Sequence, residues 1–216
     1  LVSNKIALVT GNAKGIGKAL SDWLVANGYS VPYVLRSKDF DLTCPQSALK
    51  LAQELISTHG RIDLLINNVG NYVSKYIDEI SLEEWHDMIN SNLNSAFYLC
   101  KVFLPHLRAS KGQIVNLGFA GLGKLSPNPN VIAYQVAKTG LLVLTKGMAV
   151  SEAKHGLRVN MISPGSMINT VVHGGLDRIP LGRLGKYEEL ISVLEMVLNN
   201  QYLTGQNIEV AGGYGL

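Results

Sequence analysis

An apolar run that stops at a glycine-rich loop and passes directly into a helix constrains this chain more than any other feature. Lys5-Ile6-Ala7-Leu8-Val9-Thr10 has the length and composition of a buried strand. Gly11-Asn12-Ala13-Lys14-Gly15-Ile16-Gly17 follows, and a helical pattern covers residues 18–27 before Gly28 closes it. Strand, glycine loop and helix start together make an anion site. Glycines let the backbone approach a pyrophosphate, while the unsatisfied N–H groups and dipole of the first helical turn favour its charge. Three residues separate the first two glycines, where the commonest dinucleotide fingerprint has one.

The same alternation continues along the chain. A second strand is predicted over 30–35, followed by Arg36 and Ser37. An acidic residue at that place suits the ribose 2′-hydroxyl of NAD, whereas an arginine suits the 2′-phosphate of NADP. Arg36 therefore favours NADP(H) over NAD(H), with Asp39 and Asp41 close by. The next helix starts near Pro45 and runs to about His59, which leaves only a few residues after Leu35. A parallel neighbour needs a crossover of about a dozen residues or more. One βα unit is thus missing after the second strand.

Residues 63–70 read as a strand ending in Asn67-Asn68-Val69-Gly70, a second segment for the same crevice. Ser81 and Glu84 form a capping box that opens a long helix toward Pro105, with Trp85, Met88, Ile89, Leu93, Phe97 and Leu99 as packing residues and Asn92 as the polar exception. Strand 113–117 leads into Gly118-Phe119, a Pro/Asn-rich loop over 123–130 and a helix over 131–154. That helix is apolar nearly all round, which predicts a subunit contact. Strand 158–162, Pro164-Gly165, an irregular Gly-rich lid over 166–185, helix 187–199 and strand 207–210 complete the chain. The β-α alternation predicts one parallel sheet with helices on both faces.

Composition narrows the function. A net charge of +3, without a Lys/Arg cluster, gives no footprint for nucleic acid. Cys44 and Cys100 match no metal or disulfide spacing, so no metal and a reducing compartment are expected. No apolar run reaches membrane-spanning length, and a strand-like run takes the place of a signal peptide, so the expectation is a cytoplasmic protein.

Tyr134-Gln135-Val136-Ala137-Lys138 supplies the chemistry. Two polar side chains four apart share one helix face. An ammonium near a phenol favours the phenolate, lowering the tyrosine pKa and making it a usable general acid or base.

These residues together resemble the classical short-chain dehydrogenase/reductase family over essentially the whole chain. The resemblance rests on Thr10-Gly11-x-x-x-Gly15-Ile16-Gly17, Asn67-Asn68-Val69-Gly70, Asn92-Leu93, Tyr134-x-x-x-Lys138, Pro164-Gly165 and Thr204-Gly205-Gln206. Within the family, the chain looks most like 3-oxoacyl-carrier-protein reductases and related carbonyl reductases. It implies a single α/β domain over 1–216, a Rossmann-type doubly wound parallel sheet, assembled as a homo-oligomer, usually a tetramer. It also implies NADP(H)-dependent hydride transfer to a carbonyl, borne by a small molecule or an acyl carrier. By resemblance Tyr134 gives the proton, Lys138 holds the nicotinamide ribose, and Asn92 positions a water behind Lys138. Gly11, Asn12, Lys14, Gly15, Ile16, Gly17, Arg36, Ser37, Asp41, Leu42, Asn68, Gly70, Tyr134, Lys138, Pro164 and Gly165 then surround the dinucleotide, with Asp41 at the adenine and Pro164-Gly165 against the nicotinamide.

One position departs from the pattern. Where the family usually carries a serine that hydrogen-bonds the substrate carbonyl, this chain has Phe119. Losing such a donor costs about 10²–10³ in rate in hydrolases. Ser126 is near in sequence but sits in the Pro/Asn loop. Two alternatives follow: a reductase of a ring C=N bond, similar to dihydropteridine reductases, or a non-catalytic NADP-binding sensor. Arg178 and Arg183 are candidates for attracting an anionic substrate or an acidic carrier protein.

Overall fold

The computed structural model describes residues 5–35, 40–125, 127–168 and 175–216. Strands β1 (Lys5–Val9), β2 (Tyr29–Ser30), β3 (Leu64–Asn67), β4 (Gln113–Leu117), β5 (Arg158–Pro164) and β6 (Asn207–Val210) alternate with helices. The helices are α1 (Gly15–Ala26), α2 (Pro45–His59), α3 (Leu82–Ile89), α4 (Ser95–Ser110), α5 (Ile132–Glu152) and α6 (Tyr187–Asn199). The strands form one six-stranded sheet in the order β2-β1-β3-β4-β5-β6. Every pairing is parallel.

Side-chain alternation along each strand divides the core into two layers. On one face, Ala7, Val9, Leu64, Ile66 and Val115 pack under Leu20 and Leu24 of α1 and Leu190, Leu194 and Val197 of α6. On the other, Leu8, Leu65, Ile114 and Val159 meet Leu51 and Leu55 of α2, Phe103 and Leu107 of α4, and Ala149 of α5. This is the Rossmann-type doubly wound sheet. From β1 the chain turns one way through α1 to β2, then comes back through α2 to β3 on the other side of β1. The order therefore reverses at β1, and the crevice for a ligand opens at the carboxyl ends of β1 and β3.

The structure corrects three sequence expectations. The second strand is much shorter than 30–35, because only Tyr29 and Ser30 find ladder partners, on Lys5 and Ile6. Residues 31–35 continue without strand pairing, and among the described residues no strand lies beyond β2, consistent with one βα unit fewer. Helix α1 starts at Gly15, not Lys18, so the glycine loop itself winds the first turn. The long helix opened by the Ser81–Glu84 capping box is not uniform: α3 gives way to a π-helical turn over Asn90–Asn94, and α4 then passes Pro105 to end at Ser110. Such wide turns inside helices are frequent at functional sites, and this one carries Asn92.

A buried amide chain ties the middle of the sheet to α5. Asn67 Nδ2 donates to Asn116 Oδ1 at 2.8 Å, Asn116 Nδ2 donates to Thr145 Oγ1 at 2.8 Å, and Thr145 Oγ1 donates to the Leu141 carbonyl at 2.7 Å. Asn116→Ala would strip a partner from Asn67 and from Thr145 in a fully buried place. Such a loss is expected to cost about 3 kcal/mol. Urea unfolding would read it as a lowered midpoint, and an unchanged midpoint would contradict the accounting.

Candidate active site

Four loops meet at the carboxyl ends of the strands: the glycine loop after β1, Asn68–Gly70 after β3, Gly118-Phe119 after β4, and Pro164-Gly165 at the end of β5. The glycine loop is held by hydrogen bonds to β3. Thr10 Oγ1 accepts from the Asn68 and Val69 backbone N–H groups, each at 2.9 Å, and Asn68 Nδ2 donates to the carbonyls of Thr10 at 2.9 Å and Gly11 at 3.3 Å. The Asn68 side chain is therefore spent on shaping the loop. Gly17 is required because a Cβ there would overlap the Gly11 carbonyl oxygen and lie 2.6 Å from Asn68 Nδ2.

The loop fits a dinucleotide phosphate. Gly15 has φ +59°, and a Cβ on it would enter space with no protein atom within 4 Å. Lys14, just before α1, gives no side-chain cap, and no acidic residue occupies the first turn. The helix start thus keeps its N–H groups and dipole for an external anion. Asn12 links this loop to the segment after β2: its Nδ2 donates to the Tyr33 carbonyl at 2.8 Å and its Oδ1 accepts from Leu35 N at 2.9 Å. Ile16 packs against the layer under α1. Arg36, Ser37 and Ser126 lie outside the described residues.

Two expected cofactor residues have other uses for their side chains. Asp41 Oδ1 accepts from Thr43 N at 3.0 Å and Thr43 Oγ1 at 2.6 Å, a turn that leads into α2. Leu42 is buried in the core beside α2.

On the other side of the crevice, Gly70 and Asn92 are fitted to each other. A Cβ on Gly70 would overlap Asn92 Oδ1 and stand 2.8 Å from its Cγ. Asn92 Nδ2 donates to the carbonyls of Asn71 at 2.9 Å and Met88 at 3.1 Å, while its buried Oδ1 has no hydrogen-bond partner among the described residues. A buried acceptor in this state suits an ordered water.

Tyr134 stands in the first turns of α5 with aromatic neighbours. The Phe119 ring centroid is 5.3 Å from that of Tyr134 with a 42° tilt, and the Tyr72 ring meets it edge-on at 5.1 Å and 72°. Lys138, one turn along, is only 3% exposed; its Nζ lies 5.8 Å from the Tyr134 centroid and donates to the Leu117 carbonyl at 2.8 Å. Helical spacing therefore does bring phenol and ammonium together. The expected depression of the Tyr134 pKa does not occur in the chain by itself. Burial raises the phenol above its ordinary value, and the Tyr72 phenol adds to the rise. Burial also draws Lys138 down to about 8, which weakens the positive field the tyrosine would feel.

A cavity of about 450 Å³ opens in front of Tyr134, with Gly118, Phe119, Pro164 and Gly165 among its walls. The Gly165 backbone N–H donates to the Val210 carbonyl at 2.9 Å, and the Pro164 carbonyl accepts from Ala120 N at 3.0 Å, which fixes that wall. Ser166, the first residue of the expected lid, also lines the cavity, and sequence reasoning missed Tyr72, Asn128 and Tyr214, which line it too. The only local signal for Tyr214 is Gly212-Gly213, whose positive φ values let the chain fold back over the site. Of the expected lid, 169–174 lie outside the described residues, whereas Met167 and Gly185 form a parallel bridge. Arg178 lines an adjoining cavity with Lys124. Arg183 is instead paired with Glu189, at 2.6 and 2.9 Å. No group of His, Cys, Asp and Glu able to hold a metal ion occurs among the described residues, and no helix there is long and apolar enough to cross a membrane.

The chain is similar to known proteins in sequence and fold. The family described as "Enoyl-(Acyl carrier protein) reductase" matches residues 38–215. YtkK of Bacillus subtilis, which carries an oxidoreductase name, is 31% identical over 242 residues, spanning 96% of this chain and 95% of the relative. The 3-oxoacyl-[acyl-carrier-protein] reductase FabG of Salmonella typhimurium is 29% identical over 237 residues, spanning 97% of this chain and 96% of the relative. A short chain dehydrogenase from Bacillus anthracis superimposes with a TM-score of 0.88 at 25% identity, covering 100% of this chain and 98% of that one. With the glycine loop, the paired Tyr134 and Lys138 and the doubly wound sheet in place, the chain belongs to the short-chain dehydrogenase/reductase family of oxidoreductases.

Proposed function

We propose that the protein is an NADP(H)-dependent carbonyl reductase in which Tyr134 is the general acid. The observation that carries the reading is the placement of Tyr134 on the wall of a cavity beside Pro164-Gly165, with the Lys138 ammonium one helical turn away. The bound dinucleotide supplies hydride to the substrate carbon. Gly11, Gly15, Ile16 and Gly17 cradle its pyrophosphate at the start of α1, and Pro164 and Gly165 back the nicotinamide. Lys14, Arg36 and Ser37 favour the extra phosphate of NADP(H), and Asn12 holds the described residues Tyr33 and Leu35 that precede the latter two. Asp41, Leu42 and Asn68 border the adenosine side, and Gly70 makes room for Asn92. Lys138 holds the nicotinamide ribose and stabilises the Tyr134 phenolate left after proton transfer. Asn92 Oδ1, a buried acceptor without a partner among the described residues, holds the water behind Lys138.

The substrate best supported is a 3-oxoacyl thioester, by likeness to the FabG reductase. A second reading, reduction of a dihydropteridine ring, is favoured by the cavity's aromatic walls, Tyr72, Phe119, Tyr134 and Tyr214. A flat ring stacks on such faces. NADPH oxidation with an acetoacetyl thioester beside a quinonoid dihydropteridine tests the two, and turnover of neither would overturn both. Helix α5 also exposes Val136, Val143 and Val150 at 46%, 66% and 82%, an apolar stripe that supports a homo-oligomer.

The rate should depend on pH with a definite sign. Below about pH 8 Lys138 is charged and favours the phenolate product; above it the charge is lost and Tyr134 becomes a poorer acid. Carbonyl reduction is expected to fall as pH rises through about 8, and Lys138→Met should remove that limb as well as lowering the rate. A limb that persists in the variant would assign it to another group.

A further inference from the structure

The cavity contains a donor that the Phe119 position lacks. Tyr72 lies two residues beyond Gly70, and its loop is pinned to the helix across from it. Asn71 N donates to Ser91 Oγ at 3.2 Å, Asn71 Nδ2 donates to Asp87 Oδ2 at 2.7 Å, and the Asn71 carbonyl accepts from Asn92. The Tyr72 ring is thereby held edge-on to Tyr134, 5.1 Å between centroids, and both rings line the same cavity. Among the described aromatic side chains, Phe119 and Tyr72 are the two in ring contact with Tyr134. Only Tyr72 carries a hydroxyl. Burial raises the titration of both phenols, with Tyr214 adding to the rise at Tyr72 and Tyr72 adding to the rise at Tyr134.

We propose that Tyr72 donates the hydrogen bond to the substrate's reacting oxygen or nitrogen that Phe119 cannot supply. The substrate atom is then held between two phenols with separate tasks. Tyr134 would transfer its proton to that atom, with a reduced nicotinamide, when bound, supplying hydride to the neighbouring carbon. The π pair of the C=O or C=N bond becomes the new bond to the proton, and the charge stays on the Tyr134 oxygen. Tyr72 keeps its proton throughout and steadies the charge that develops in the transition state. Three other polar side chains share the wall: Asn128, whose Oδ1 accepts from Asn130 N at 3.3 Å, Ser166, which follows the Pro164-Gly165 segment assigned to the nicotinamide, and Tyr214. Tyr72 is the polar one among the described residues whose ring meets that of Tyr134.

This inference rests on the reading of Tyr134 as the acid, and the experiment separates the two. NADPH oxidation is measured on an acetoacetyl thioester, an aromatic aldehyde and a quinonoid dihydropteridine, using wild type, Tyr134→Phe, Tyr72→Phe, Phe119→Ser and the variant with both of the last two changes. Tyr72→Phe keeps the ring and removes only the hydroxyl. It is expected to lower kcat about 10²-fold on the best substrate, with NADPH affinity and melting temperature unchanged. A serine at position 119 should restore the donor, so the penalty for losing the Tyr72 hydroxyl should shrink to a few-fold in the Phe119→Ser background. Wild-type kcat in Tyr72→Phe, or an equal penalty in both backgrounds, would overturn the assignment of Tyr72 while leaving Tyr134 intact. Full activity in Tyr134→Phe, or no wild-type turnover of any of the three substrates, would overturn both.

Discussion

Tyr134→Phe is expected to lower NADPH-dependent reduction by about 10²–10⁴-fold, the range that a positioned general acid contributes. The substitution isolates the chemistry. The ring still fills the space against Phe119 and Tyr72, so the apolar contacts that hold it are retained. Only the acidic proton is gone. Burial already keeps that phenol protonated in the free chain, the state a reductase needs before each turnover. The variant should bind NADPH as wild type does, because the glycine loop and Asn12 lie elsewhere in the crevice. A fall in kcat with dinucleotide affinity preserved would support Tyr134 as the acid. Turnover retained within a few-fold would remove it from that role.

Gly17→Ala is expected to have the second large effect, on dinucleotide binding. Most glycine substitutions tax only backbone freedom, about 1 kcal/mol. Gly17 is different because the added carbon would overlap the Gly11 carbonyl and press on the Asn68 amide at 2.6 Å. Neither can yield alone. Gly11 already uses φ +64°, and Asn68 is the side chain that joins the loop to the carbonyls of Thr10 and Gly11. The loop must shift as a body, and displacements of about 1 Å at a positioning element cost about 10²-fold. NADPH titration of the variant should show an affinity loss of at least that order. Unaltered affinity, with the fold intact by circular dichroism, would mean that the loop does not carry the pyrophosphate.

Local patterns made much of the fold legible. Helix α6 and strands β4 and β6 fall on the residues that the apolar periodicity predicts, and β4 is bounded on both sides by a glycine. The capping box at Ser81 is equally local: two side chains and two backbone groups within one turn satisfy each other. The short connection after Leu35 revealed the missing βα unit, since chain length alone limits what a crossover can span. Tyr134 and Lys138 were legible as a pair through helical spacing.

What stayed hidden depends on groups brought together from distant parts of the chain. The length of β2 is set by how many of its residues find a partner on β1, and Asn12 takes the backbone groups of Tyr33 and Leu35 instead. The π-helical turn at Asn90–Asn94 has no signature in residue type; it is a shift of hydrogen-bond register that puts Asn92 over Gly70. The direction of the Tyr134 shift in the chain by itself has the same origin. Spacing along α5 determined that a phenol and an ammonium would be neighbours, but the water excluded from both is decided by Phe119, Tyr72 and the end of β4. Desolvation is a property of everything packed around a group, so the amino-acid sequence determined which chemistry is present, and the tertiary structure decided in which protonation state it waits.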